Sequence, residues 1–355
     1  MICSPVAIFP RRIIQQELDS LRPHIIGPSQ EKDIITRLNG RERQAISTEW
    51  EVVLAAAFAR NANVRYEPSL GGKRPDLFIS AADNSIEFVI DIVAVSDEES
   101  DRKNPAYYFF EEFRRVAAKS GLAGGFDIRI GDRLTGNWPD KVNRLLLPSK
   151  KEIPRFIKCE LANFMRSILL SPTERHTYRR ADEGIDLQIM YDPAQLGRTT
   201  GGFAGYNAAY SLTRNPLFAA LNSKAKKLRQ SGYAGIKGII VVDGGCHVLR
   251  ANQRAGGSPW SCGEIVEHFL KRHKYVDFVT ITYYEDTLPI LGNRRQLFRH
   301  RVFWQRPFDQ AKIDSVYPLL NDTFKSLPSP AESPQNALAS VRSRRRIDQT
   351  VLAFR

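Results

Sequence analysis

Residues 87–95 read Glu-Phe-Val-Ile-Asp-Ile-Val-Ala-Val. Alternate residues of a strand face opposite ways, so Glu87, Val89, Asp91, Val93 and Val95 share one side and Phe88, Ile90, Ile92 and Ala94 the other. A strand that is apolar on both sides needs cover on both sides, which demands a central sheet between layers. Asp91 sits in the middle of that run. A carboxylate buried there costs several kcal/mol unless something pairs with it, so the fold must also deliver a partner to position 91.

The surrounding patterns supply the layers. "STEWEVVLAAAFARNANV" predicts an amphipathic helix from about residue 48, capped by Ser47 or Thr48, with Trp50, Val53, Leu54, Ala57 and Phe58 at helical spacing. "VRYEP", "PDLFIS" and "IEFVIDIVAV" read as strands, the last two joined as a hairpin through "SAADNS". After a long stretch come the helix "NPLFAALNSKAKKLRQSG", the buried strand "GIKGIIVVDGG", the helix "SCGEIVEHFLKRH" and the strand "VDFVTITYYED". The expected fold class is α/β: a mixed central sheet flanked by helices, carrying a long α+β insertion. The boundaries read as an N-terminal helical extension (1–47), a core (48–98 and 213–325), an insertion (99–212) and a basic tail (326–355) rich in Pro and Ser at its start. Within the insertion, "KKEIPRFIKCELANFMRSIL" reads as one helix and "GRTTGGFAGYNAAYS" as a flexible loop.

At 355 residues, 42% hydrophobic and 26% charged, the chain has ordinary globular composition and enough length for a large core. No apolar run reaches the roughly 18 residues of a membrane span. The opening "MICSPVAIFPRRII" lacks the charged start and small-residue cleavage site of a signal peptide. Cys3, Cys159, Cys246 and Cys262 are scattered and form no CxxC pair, which argues against zinc and for a reduced, cytoplasmic protein. The net charge of +13 favours a polyanionic partner, nucleic acid first. The Gly-rich "GRTTGGFAGYN" lacks the GK[ST] ending of a phosphate loop.

Asp76, directly after Pro75, opens the strand that precedes Asp91 in the hairpin. Carboxylates on neighbouring antiparallel strands can converge, and two that do so repel unless a proton or cation lies between them. A divalent ion such as Mg2+ (or Mn2+) resolves this and can activate water for phosphodiester hydrolysis. The plainer alternative makes Asp76 a turn acid and pairs Asp91 with a buried Lys or Arg.

A helix bearing glutamate, a strand, a "PD" strand and an apolar strand carrying an acid together resemble the core of the PD-(D/E)xK, or restriction-endonuclease-like, nuclease superfamily. The likeness covers about 100 residues, roughly 48–96 and 213–243. It implies metal binding by Asp76 and Asp91, helped by Glu51 (or Glu49), and hydrolysis of DNA in bacterial restriction or antiviral defence. A homodimer or a partner protein of a defence system fits the same resemblance. Val93 stands where that family carries its lysine. On the later helix, Lys224 shares the stripe of Leu217, Leu221 and Leu228, which makes it the candidate for a displaced lysine, with Lys226 and Lys227 expected further round. Lys73 and Arg74, just before the PD strand, are the second choice and also suit a DNA phosphate.

Further candidate nucleic-acid contacts are Arg294, Arg295, Arg299 and Arg301 in "LGNRRQLFRHRVFWQR", read as a strand with one basic face. The equal alternative is an edge strand protected by charge. Two other functions stay open: a catalytically inactive nuclease-like fold that binds DNA or a protein, and a basic structural protein whose acid pair is incidental.

Overall fold

The computed structural model describes residues 8–25, 27–40, 42–81, 83, 85–97, 105–122, 124–195, 197–203, 211–250, 260–286 and 296–330. Arg294, Arg295 and the tail beyond residue 330 lie outside them.

In chain order, helices α1 (Arg11–Leu21), α2 (Pro28–Leu38) and α3 (Glu42–Ala59) lead into strands β1 (Ala62–Tyr66), β2 (Leu77–Ala81) and β3 (Glu87–Val95). Then follow α4 (Pro105–Lys119), β4 (Phe126–Ile130), β5 (Asp132–Thr135), β6 (Val142–Leu145), α5 (Ile153–Glu160), α6 (Ala162–Leu170), β7 (His176–Ala181), β8 (Asp186–Tyr191) and β9 (Thr199–Phe203). The chain finishes with α7 (Pro216–Gln230), β10 (Ile236–Asp243), α8 (Cys262–Arg272), β11 (Phe278–Asp286), β12 (Gln296–Trp304) and α9 (Gln310–Lys325). Two compact units result: residues 1–96, 212–255 and 260–355 form the first, and residues 97–211 with 256–259 the second.

The first unit is built on a six-stranded mixed sheet in the order β1-β2-β3-β10-β11-β12. β3, β10 and β11 run parallel, while β1, β2 and β12 are added antiparallel. The outcome is a mixed α/β architecture with helices on both faces. One face presents Phe88, Ile90, Ile92, Ile240, Val242 and Phe278 to α1, α3 and α9 in a continuous core that includes Trp50, Val53, Phe58, Leu320 and Phe324. Each such side chain taken fully out of water contributes about 1.5–3 kcal/mol. The opposite face, which carries Asp91, is covered by α7 and α8.

The start of α3 corrects the sequence reading. The helix begins at Glu42, so Thr48 lies inside it and its hydroxyl donates back to the Gln44 carbonyl instead of capping an end. α7 begins as its sequence dictates: Asn215 caps the Phe218 N–H at 2.8 Å and Pro216 occupies the first turn. α8 opens with a Ser261–Glu264 capping box.

In the second unit, a sheet ordered β7-β8-β4-β9 and a β5–β6 hairpin pack with α4, α5 and α6 around Phe109, Phe113, Phe126, Ile128, Leu187 and Ile189. Two expectations change here. The single long helix is split at Leu161 into α5 and α6, and the supposed loop at 199–203 is strand β9, parallel to β4. A Cβ on Gly201 would lie 2.3 Å from the Phe110 ring, so this glycine serves close packing.

Candidate active site

Leu77 pairs with Ile90 in the β2–β3 ladder, so the next pair along that register is Asp76 opposite Asp91. β2 ends there while β3 runs on. The Asp76 side chain takes over the edge: its Oδ2 accepts the Ile92 N–H at 2.6 Å, and the Asp76 N–H reaches Asp91 Oδ1 at 3.3 Å. A carboxylate thus completes the hydrogen bonding of a strand whose neighbour has stopped. The loop before Asp76 is held against the end of α7. Gly71 has φ +51°, and a Cβ there would lie 2.4 Å from the Ser231 carbonyl oxygen, a fit only glycine permits.

Two ammonium groups from α7 meet the acids. Lys224 Nζ lies 2.9 Å from Asp76 Oδ2 and 3.7 Å from Asp91 Oδ1. Lys227 Nζ lies 2.7 Å from Oδ1 of both Asp76 and Asp91. The expectation that Lys227 points further round is therefore wrong. Residues three apart on a helix share a face, and it is Lys227 that bridges the two carboxylates. Lys224 does reach the site, as its stripe position predicts.

The electrostatics are uneven. Burial raises the Asp76 carboxyl, but Lys224 and Lys227 outweigh it and hold the group down at about 2. Asp91, whose side chain is 0% exposed, is pushed up to about 6 by burial and then by Asp76, against the pull of the two lysines. Burial lowers the Lys227 ammonium, yet Asp76 and Asp91 raise it further, so it stays charged. Asp91 Oδ2 is buried and has no hydrogen-bond partner among the described residues.

Glu51 adds a second layer. It accepts from Arg37 at 2.9 Å, from the Tyr66 hydroxyl at 3.2 Å and from Ser47 at 3.3 Å. Burial first, and then Asp76, push its carboxyl up to about 7, while Arg37 and Lys224 pull the other way. Arg37 also bonds Glu67 at 2.9 Å. Glu67 has φ +44°, a left-handed backbone costly for this residue, and its N–H donates to the Asp76 carbonyl at 2.9 Å. Glu49, the stated alternative to Glu51, turns elsewhere: its Oε2 accepts the Ile8 N–H at 2.9 Å.

Of these groups, Arg37, Tyr66 and Glu67 go unmarked in the sequence reading, and Lys227 is placed there away from the site. Only Lys227 had a usable signal, its i+3 spacing from Lys224. Arg37 comes from α2, 39 positions before Asp76 in the numbering, and nothing local announces it.

The nucleic-acid candidates scatter. Lys73 and Arg74 are exposed on the loop leading to Asp76. Arg299 and Arg301 are exposed on β12, the far edge of the sheet. The registers Asp91–Ile239, Ile239–Val279 and Val279–Phe303 carry one face across the sheet. Arg301 and Arg299 fall on that same face, three strand spacings or roughly 14 Å from β3. Arg301 also lies over the Tyr283 ring at 5.8 Å.

Among the described residues, no group of three or more His, Cys, Asp or Glu side chains is placed to hold a metal ion. The donor set at the acid pair is two carboxylates. That suits magnesium, which is commonly bound through one or two carboxylates plus water and substrate phosphate. The unpartnered Asp91 Oδ2 leaves ligand capacity at the site. No described helix is long and apolar enough to cross a membrane. No family model matches the chain, and neither does any curated protein or solved structure.

Proposed function

We propose that the first unit is a divalent-metal-dependent phosphodiester hydrolase acting on DNA, built on a core resembling that of the PD-(D/E)xK nucleases. The observation that carries this reading is the Asp76–Asp91 pair bridged by one cation from a facing helix. Two carboxylates that a single ammonium spans at 2.7 Å are close enough for one ion to serve both. Asp76 and Asp91 would hold Mg2+ or Mn2+, with Glu51 contributing negative charge from the layer behind them and no direct ligand. The metal would lower the pKa of a bound water and neutralise charge on the phosphate. Lys224 would supply at this position the positive charge that Val93 cannot. Lys73, Arg74, Arg299 and Arg301 are the phosphate contacts on the proposed DNA path. A role in bacterial restriction or antiviral defence rests on the family resemblance alone.

A second reading has its own support. Two ammonium groups already balance two carboxylates, as in an inactive nuclease-like fold that binds DNA or a protein. Incubation of the full chain with supercoiled plasmid, with and without Mg2+ or Mn2+, separates them. Hydrolysis predicts metal-dependent nicking that Asp91→Ala abolishes without loss of fold. The silent fold predicts no nicking, together with a salt-sensitive gel shift that Asp91→Asn leaves unchanged.

A further inference from the structure

Lys224 and Lys227 do not hold equivalent positions. Lys224 is the more enclosed, with 19% of its side chain exposed, and its short contact is to Asp76 alone. Lys227 is 30% exposed and is the one cation among the described residues that makes short contacts with both carboxylates. Its Nζ sits between the two acids, on Oδ1 of each, so an ion held by both carboxylates would compete with the ammonium for that space. Lys224 and Lys227 balance Asp76 and Asp91 as they stand, and a divalent ion added with both lysines in place would leave those two acids overcharged. A lysine can leave such a site: its head is a compact, strongly hydrated point charge on a flexible four-carbon stem, and the solvent-exposed part of Lys227 gives it a route outward. Lys224, deeper and tied to Asp76, is the one that stays.

We propose that Lys227 is an exchangeable resident cation, which holds Asp76 and Asp91 together in the metal-free protein and swings toward solvent when a divalent ion takes its place. This inference rests on the hydrolase reading above. It adds that metal affinity is set by competition with the chain's own side chain, and that the released ammonium stands beside the metal where a DNA phosphate would arrive. The competition would keep the site metal-poor until substrate offers Lys227 an alternative anion.

The test is Mn2+ binding by the full chain without DNA, followed by isothermal titration and by the electron paramagnetic resonance of free Mn2+. The wild type should bind weakly, and Asp76→Asn should abolish that binding. Lys227→Gln should bind at least 10-fold more tightly than wild type and more tightly than Lys224→Gln. Its thermal midpoint, lowered without metal, should be restored by Mn2+. Should Lys227→Gln not fold, Lys227→Arg serves instead. Its guanidinium can bridge carboxylates with a fixed fork and resist displacement, so its Mn2+ affinity should fall threefold or more. Wild-type affinity in Lys227→Gln, or in Lys227→Arg where that variant is used, overturns the exchange while leaving the hydrolase reading intact. No Asp76-dependent Mn2+ binding in any variant overturns both.

Discussion

Asp91→Asn should make the metal-free protein more stable, which is the reverse of what a structural ion pair predicts. Burial, and then Asp76, push Asp91 up to about 6 in the folded chain, against an ordinary 3.8. At about 1.36 kcal/mol per pKa unit, ionising it in the fold costs about 3 kcal/mol more than in the unfolded chain. The folded value is raised, so this group's stabilising contribution is complete below pH 3.8 and is lost as pH rises through 6. Asparagine is neutral throughout and escapes that loss. The raised value already contains the pull of Lys224 and Lys227, so Asp91→Asn should gain on the order of 1–3 kcal/mol at pH 7.5, a gain that fades toward pH 4. Asp76 runs the other way. Its value near 2 marks a stabilising contribution that is present above 3.8 and lost as pH falls toward 2, so Asp76→Asn should cost about 2 kcal/mol at pH 7.5. Urea denaturation with chelator present, followed by circular dichroism at both pH values, reads the two effects. A loss of 1 kcal/mol or more in Asp91→Asn at pH 7.5 would refute the reasoning and make the cluster a stabilising salt bridge.

Two further outcomes follow from other parts of the first unit. Burial, against the Ile8 and Phe9 amides, pushes the Glu49 carboxyl up to about 8. Its contribution is therefore lost as pH rises from 4.5 through 8, and Glu49→Gln should flatten the fall in thermal midpoint over that range. Replacing Arg299 and Arg301 together with Ala should weaken DNA binding and reduce the slope of log affinity against log salt by up to about 2. An unchanged slope would make β12 a charge-protected edge strand.

How far these features can be read from sequence depends on where their causes lie. The acid pair was legible because its determinants are local: Pro75–Asp76 starts a strand, alternation fixes the face of Asp91, and the short "SAADNS" turn sets the pairing. Lys224 was legible from helical periodicity on the apolar stripe of α7. Lys227 is not legible in the same way because it lies beside that stripe, and its long stem, not its Cα position, decides where the charge ends up. The Arg37–Glu51–Tyr66–Glu67 network joins α2, α3 and the end of β1, contacts that tertiary packing alone creates. β9 reads as a loop because Thr-Thr-Gly-Gly has little strand character, and Phe110 and β4 supply the reason for it from outside the segment. Nothing in the pattern marks α9, where Pro318 interrupts an otherwise helical run.

Everything proposed for this site depends on Asp76 and Asp91 jointly binding a divalent ion. Anomalous diffraction from crystals of the full chain grown with Mn2+ and a DNA duplex tests it most directly. The account predicts a manganese peak with an oxygen of each aspartate at about 2.1 Å and with Lys227 Nζ withdrawn from both. A well-ordered DNA complex with Lys227 still bridging the two carboxylates and no peak between them would contradict it.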